Sequence, residues 1–145
     1  MQRKYKYRAK RLDGKGWVYG MPVESVNDRC YMIVGATEDA VNTRNEVDFM
    51  YIEVDPETVC PYIGKKDVNG LEIYSKDIIE CLASDGTTIR HYVDFCEEKG
   101  YYAQYLIEYG KCPYEAGPVT QSYIDEFGKH VAGNMFDNKE LLKTE

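Results

Sequence analysis

Residues 62–79 read Tyr62-Ile63-Gly64-Lys65-Lys66-Asp67-Val68-Asn69-Gly70-Leu71-Glu72-Ile73-Tyr74-Ser75-Lys76-Asp77-Ile78-Ile79, and this stretch decides the fold. Residues 58–64 are extended and break at Gly64. Asp67-Val68-Asn69-Gly70 is a turn signature, with Asn69-Gly70 suited to positive φ. Leu71, Ile73 and Tyr74 return the chain to a short apolar run. Ser75-Lys76-Asp77 turns it again, and residues 78–83 form a strand apolar on both faces. Ser84-Asp85-Gly86-Thr87 then closes a hairpin through Asp85-Gly86. Two reversals within about thirty residues predict short, local, antiparallel pairings.

Downstream the strand signal persists. Ile89, His91, Val93 and Phe95 share one face, and Arg90, Tyr92 and Asp94 the other. His91 therefore belongs to an apolar series, which predicts a core or boundary histidine. Tyr101 to Tyr109 alternates as a long strand or a bulged one. Residues 110–122 hold two glycines and two prolines and read as a loop. Residues 123–127 allow one helical turn before Gly128. Residues 130–136 read as a last strand with a kink at Gly133-Asn134. Asp137 and Glu140 stand as in a capping box, predicting a short C-terminal helix that docks Leu141 and Leu142.

Upstream, residues 49–54 are a strand that ends in the turn Asp55-Pro56-Glu57-Thr58. Residues 35–48 are polar and acidic and read equally as a loop or as a short helix from Thr37. Cys30-Tyr31-Met32-Ile33-Val34 is a strand. Residues 3–10 and 17–20 make a first hairpin around Asp13-Gly14-Lys15-Gly16, with Trp17 as a core anchor, and residues 21–23 are extended again. Many short strands with few helices need their edges protected, and a closed or partly closed small barrel does this.

The composition agrees with a packed sheet protein. The chain has 145 residues, 43% hydrophobic, 13% aromatic and 30% charged. Fourteen tyrosines against four phenylalanines suit sheet faces that pack a ring and present a hydroxyl. The net charge is −7, and it is uneven. Residues 1–16 carry +6, and the remainder carries −13. An acidic body repels phosphate backbones at long range, while the basic arm at residues 3–15 offers a local nucleic-acid contact. No apolar run approaches the ~20 residues that cross a bilayer, and no signal peptide is visible, so the expectation is a cytoplasmic, non-membrane protein. Five cysteines without a C-x-x-C pair predict buried thiols, with neither a disulfide framework nor a zinc knuckle.

The chemistry-bearing motifs are weak. Residues 63–67 lack the glycine spacing of a phosphate loop, and Gly14-Lys15-Gly16 lacks a βαβ frame. Asp67, Glu72 and Asp77 are the best acidic group for a divalent ion or acid–base work. Turn chemistry accounts for Asp67 and Asp77 more simply, because each stands where a carboxylate accepts local amides. No serine has a nucleophile-elbow context, and Cys–His catalysis with His91 or His130 selects no particular thiol. Tyr101, Tyr102, Tyr105 and Tyr109 suggest a stacking platform, a sheet core or an oligomer contact. The reading assigns no catalytic, cofactor-binding or metal residue.

Three separated stretches in order carry a family resemblance. They are Tyr7-Arg8-Ala9 with Trp17-Val18-Tyr19-Gly20, residues 55–79, and Ala132-Gly133-Asn134-Met135-Phe136-Asp137-Asn138 with Glu140-Leu141-Leu142. Together they resemble the YopX family of phage and prophage proteins over nearly the whole chain. Pro61, Ile63 and Ser75-Lys76 depart from the family pattern, and Lys76 stands where the family has glycine. The resemblance implies a mainly β fold with a small SH3-like antiparallel barrel core. The expected layout is one domain over residues 1–145. Residues 1–54 form an N-terminal β region, and residues 55–145 the barrel-like region with its C-terminal helix. The implied function is that of a phage or prophage accessory protein with a non-enzymatic binding or structural role. It would act as a homo-oligomer or with a phage or host protein partner. The alternatives are nucleic-acid binding through the basic arm, less favoured, and a small metal-assisted hydrolase using Asp67, Glu72 and Asp77. The family carries no established reaction to map onto Asp67, Asn69, Gly70, Asp77 or Asn134.

Overall fold

The structure is a computed structural model that describes residues 6–24, 27–34, 50–107 and 114–142. The chain divides into two compact units, Met1–Pro61 and Tyr62–Glu145.

The first unit is built on β1 (Tyr7–Lys10), β2 (Trp17–Glu24), β3 (Cys30–Val34) and β4 (Met50–Val54), in the order β4-β3-β2-β1. All ladders are antiparallel. Residues 17–20 and 21–23 do not belong to two separate strands. One long strand instead pairs with β1 through residues 17–20 and with β3 through residues 21–24. Gly20 stands at the changeover. A Cβ there would sit 2.0 Å from the Ile33 carbonyl oxygen, so only glycine lets the strands cross this closely. Ala9, Val18, Cys30, Met32 and Val54 form the core on one face of this sheet. A 3-10 turn at Pro56–Thr58 follows, capped by Asp55, whose side chain accepts from the Glu57 amide.

β5 (Cys60–Lys66) begins in the first unit, where Cys60 and Pro61 pair with β1. It continues into the second, where Tyr62 and Lys66 pair with β6 (Glu72–Tyr74). The predicted reversals are present, with Gly70 and Gly86 both at φ 85°. The second unit also contains β7 (Asp77–Leu82), β8 (Thr88–Cys96), β9 (Tyr101–Leu106), β10 (Tyr114–Pro118), α1 (Gln121–Phe127) and β11 (His130–Asn134). A meander from β7 to β10 is joined by β11, which returns to the free side of β7, giving β10-β9-β8-β7-β11. Ile63, Ile73, Ile79, Val93, Val119 and Ile124 make its core. Ile124 of α1 is fully buried, so the helix covers one face of the sheet.

The SH3-like barrel does not form. The six-stranded order β4-β3-β2-β1-β5-β6 and the five-stranded order β10-β9-β8-β7-β11 are both open. In the first, among the described residues, an isolated bridge between Arg11, just past β1, and Val54 of β4 stands where a closing ladder would be. In the second, α1 follows β10 and caps the sheet face, and β11 then pairs with β7 rather than with β10. Both outer strands carry register shifts, at Glu115/Pro118 and at Val131/Gly133, and such irregularities blunt an edge without closing it.

Three local expectations also change. Residues 114–118 are a strand, not loop. The helical turn expected at 123–127 is a full α-helix from Gln121. The expected C-terminal helix is only a 3-10 turn at Lys139–Leu142. There Asn134, rather than Asp137, organises the chain. Its Oδ1 accepts from the amides of Phe136 (3.0 Å) and Asp137 (2.9 Å), and its Nδ2 donates to the Asp137 carboxylate at 3.2 Å. The segment 35–48, Lys4, Tyr5, Tyr109 and Cys112 lie outside the described residues.

Candidate functional site

Two members of the acidic group, Asp67 and Asp77, are buried and hold backbone amides. Asp67 is buried and accepts from three amides: Asn69 (2.9 Å) and Leu71 (2.8 Å) in its own turn, and Val131 (2.9 Å) on β11. Asp77 is buried and accepts from the Tyr74 amide at 2.8 Å. Their oxygens hold backbone segments, which is what buried carboxylates in turns do. Among the described residues no group of three or more His, Cys, Asp or Glu is placed to hold a metal ion.

The tyrosine series does not form one platform. Tyr105 stacks on Tyr92 (4.9 Å between centroids, 14° between planes). Tyr102 meets Phe95 edge-on at 5.2 Å, from the opposite side of the strand. The basic arm is likewise engaged. The Arg8 guanidinium lies 4.5 Å from the Trp17 ring centroid and the Lys10 ammonium 5.8 Å from it, while Arg11 binds Asp13. Trp17 is thus covered by the chain's own cations, where a base-stacking platform would present its ring. Cys30, Cys60, Cys81 and Cys96 form no disulfide.

Two features were not read from the sequence. The first is the outer face of the N-terminal sheet. The register sets Arg8 opposite Tyr19, Met21 opposite Ile33, Val23 opposite Tyr31, and Ile33 opposite Tyr51, all on one face. This is the face away from Val18, Met32 and Val54. It leaves Tyr19 49%, Met21 46%, Val23 43% and Tyr51 63% exposed. The signal was in the sequence: β2 carries its large apolar side chains at the odd positions Trp17, Tyr19, Met21 and Val23, opposite the face on which Val18 joins the core.

The second feature is a polar cluster inside the C-terminal unit. Thr120 caps α1 by accepting from the Tyr123 amide, and Gly128 ends it at φ 65°. The Lys129 amide then donates back to the Ile124 carbonyl at 3.0 Å, completing a Schellman-type end. The residue after such a glycine normally packs an apolar side chain against the helix. Here it is lysine, and it is fully buried. Its Nζ donates to His91 Nδ1 at 2.8 Å and lies 5.7 Å from the Tyr123 ring centroid.

The electrostatics follow from this placement. Burial, and then the Lys129 charge, hold the His91 pKa down from 6.5 to about 4, so the imidazole is neutral and free to accept. Burial also pushes the Lys129 pKa down, partly opposed by Cys81 and Glu80. On the opposite face of the sheet Glu80 accepts from Arg90 Nε at 3.0 Å and stands 3.2 Å from His130 Nε2. The amine of Lys129 has no exposed surface through which to meet a substrate, so the cluster reads as a polar core and not as an open active site.

The class defined by this geometry is a mainly β protein with two open sheets and, among the described residues, one short α-helix, in which Asp67 and Asp77 serve turns. The YopX protein family model matches residues 6–143, and the chain belongs to that family of phage and prophage proteins. It is therefore a phage-associated protein. A crystal structure of protein EF1440 from Enterococcus faecalis is similar over 98% of this chain and 100% of that one, with a TM-score of 0.58 and 21% identity. That similarity concerns the fold. No curated protein matches the chain. Among the described residues no helix is long and apolar enough to cross a membrane.

Proposed function

We propose that this protein is a phage accessory protein that works by docking, as one YopX-type domain in the bacterial cytoplasm, and that its contact surface closes on a second copy of the chain. The observation that carries this reading is the outer face of the N-terminal sheet, where Tyr19, Met21, Val23 and Tyr51 are all exposed. An apolar, aromatic patch of this kind on a surface of otherwise acidic character is the mark of a contact surface. The occupant follows from the charge pattern. Lys10 lies on β1 at one side of the face, and Glu53 lies on β4 at the other. Turned about the strand direction, such a face sets its basic side over the acidic side of a copy, with the apolar middles in register. Self-complementary contacts of this kind are the commonest route to dimers.

Sedimentation equilibrium over a wide concentration range tests the reading. The wild-type chain is expected to dimerise, and Tyr19→Ser combined with Met21→Ser to remain monomeric with an unchanged circular dichroism spectrum. A wild-type chain that stays monomeric throughout overturns self-docking, as does a double variant that dimerises equally well.

A further inference from the structure

We propose that Tyr92 and Tyr105 form an oxidative cross-linking site, at which a one-electron oxidant couples the two rings into a dityrosine that joins β8 to β9. The site lies wholly within the C-terminal unit and is independent of the docking surface.

The backbone presets the pair. Tyr92 and Tyr105 stand directly opposite each other in the β8–β9 ladder, which runs from His91–Leu106 to Cys96–Tyr101 without a register shift. Both lie on the face away from the buried His91 and Val93. Their rings stack, with 4.9 Å between centroids and 14° between planes. Both residues are half-buried. Such rings still meet solvent and can lose an electron to an oxidant, while the faces turned towards each other are closed to other reagents.

The chemistry needs two phenols in this relation. Each tyrosine loses one electron to the oxidant and its hydroxyl proton to water. That leaves a phenoxyl radical whose unpaired electron is shared between the oxygen and the ring carbons ortho to it. Two such rings lying face to face bring ortho carbons together, and the unpaired electrons form one carbon–carbon bond. Each bonded carbon then gives up its hydrogen as a proton, and each oxygen takes one, which restores both aromatic rings. In sum the protein loses two hydrogens, and two equivalents of oxidant are reduced. A pair held in contact by the sheet couples ahead of radicals that must meet by diffusion.

Three other aromatic contacts of this unit serve as built-in comparisons. Tyr62 and Tyr74 are both phenols, but their centroids lie 5.7 Å apart with planes at 48°, and Tyr74 is buried. Tyr102 meets Phe95, and Tyr123 meets Phe127, and a phenylalanine has no hydroxyl proton to lose.

The test illuminates the dilute full chain with ruthenium(II) tris-bipyridine and persulfate. Accessible thiols are first alkylated, because the partly exposed Cys96 would consume tyrosyl radicals. The monomer band of a denaturing gel is then mapped by peptide mass spectrometry. The expected result is a monomer-sized species two hydrogens lighter, with dityrosine fluorescence and one cross-linked peptide pair joining Tyr92 to Tyr105. Tyr92→Phe and Tyr105→Phe keep both rings and should each abolish the bond, while Tyr74→Phe should leave its yield unchanged. The exposed Tyr19 and Tyr51 report the dose through their own oxidation. The proposal is overturned if Tyr92 and Tyr105 stay unlinked at doses that oxidise Tyr19 and Tyr51. It is equally overturned if the intramolecular bond maps to another pair, or if either of the first two variants still forms it. The wild-type peptide pair decides the matter even if a variant fails to fold.

Discussion

The two units of this chain depart from the usual partition of polar and apolar groups in opposite directions. The N-terminal sheet buries one apolar face and exposes another, with Tyr19, Met21, Val23 and Tyr51 turned outward. The C-terminal unit encloses a lysine, a histidine and a glutamine among its isoleucines. An exposed apolar face gains free energy only when something covers it. An enclosed lysine is tolerated only because His91 accepts from it and its long stem fills space that an apolar residue would otherwise occupy. The difference is one of sign: the first unit leaves apolar side chains outside, and the second takes polar ones inside.

The comparison breaks first at its tightest points. Gly20→Ala drives a Cβ into the Ile33 carbonyl and is expected to cost about 3 kcal/mol or more in chemical denaturation. Gly14→Ala has open space around it and suffers only from its positive φ, about 1 kcal/mol. In the second unit, Lys129→Ala is expected to lose about 3 kcal/mol through the cavity and the orphaned His91 acceptor. Lys129→Met keeps the stem and should recover about half of that loss. The ordering alanine below methionine below wild type is the outcome to check.

A pH series sharpens the same contrast. The folded pKa of His91 lies below its unfolded value of 6.5, at about 4. The unfolded chain therefore binds more protons between these values, and stability falls as pH drops through that window. The expected loss is about 2 kcal/mol after allowance for screening. A His91→Gln chain should lack that component while keeping the general acid sensitivity of the carboxylates, and parallel urea titrations of both chains measure the difference. Smallest is Lys76→Gly. Lys76 occupies φ 72° and forms an ion pair with Asp94, so relief of backbone strain and loss of the pair nearly cancel, within about 1 kcal/mol.

Much of the fold was legible where chemistry is local. Asp67-Val68-Asn69-Gly70 and Asp85-Gly86 announce their turns because the side chains themselves make them: Asp85 accepts from the Thr87 amide just as Asp67 accepts from Asn69. Open versus closed sheets was not legible, because closure depends on where β11 docks, and its pairing with β7 spans about fifty residues of sequence. The same distance hid the polar cluster. His91 was readable as a core histidine from alternation, but Lys129 had only the preceding Gly128 to mark it, and no periodicity predicts a lysine turned inward by a helix end. The outer face is not legible from alternation because β2 places its large apolar side chains on the side away from the core, the reverse of what alternation implies.

The most direct test of the central claim is hydroxyl-radical footprinting of single side chains at rising protein concentration. If the N-terminal sheet closes on a second copy, Tyr19, Met21 and Tyr51 become protected as the protein is concentrated, while Leu82 and Phe127, exposed on the other unit, label equally throughout. Constant labelling of Tyr19, Met21 and Tyr51 at every concentration would contradict it.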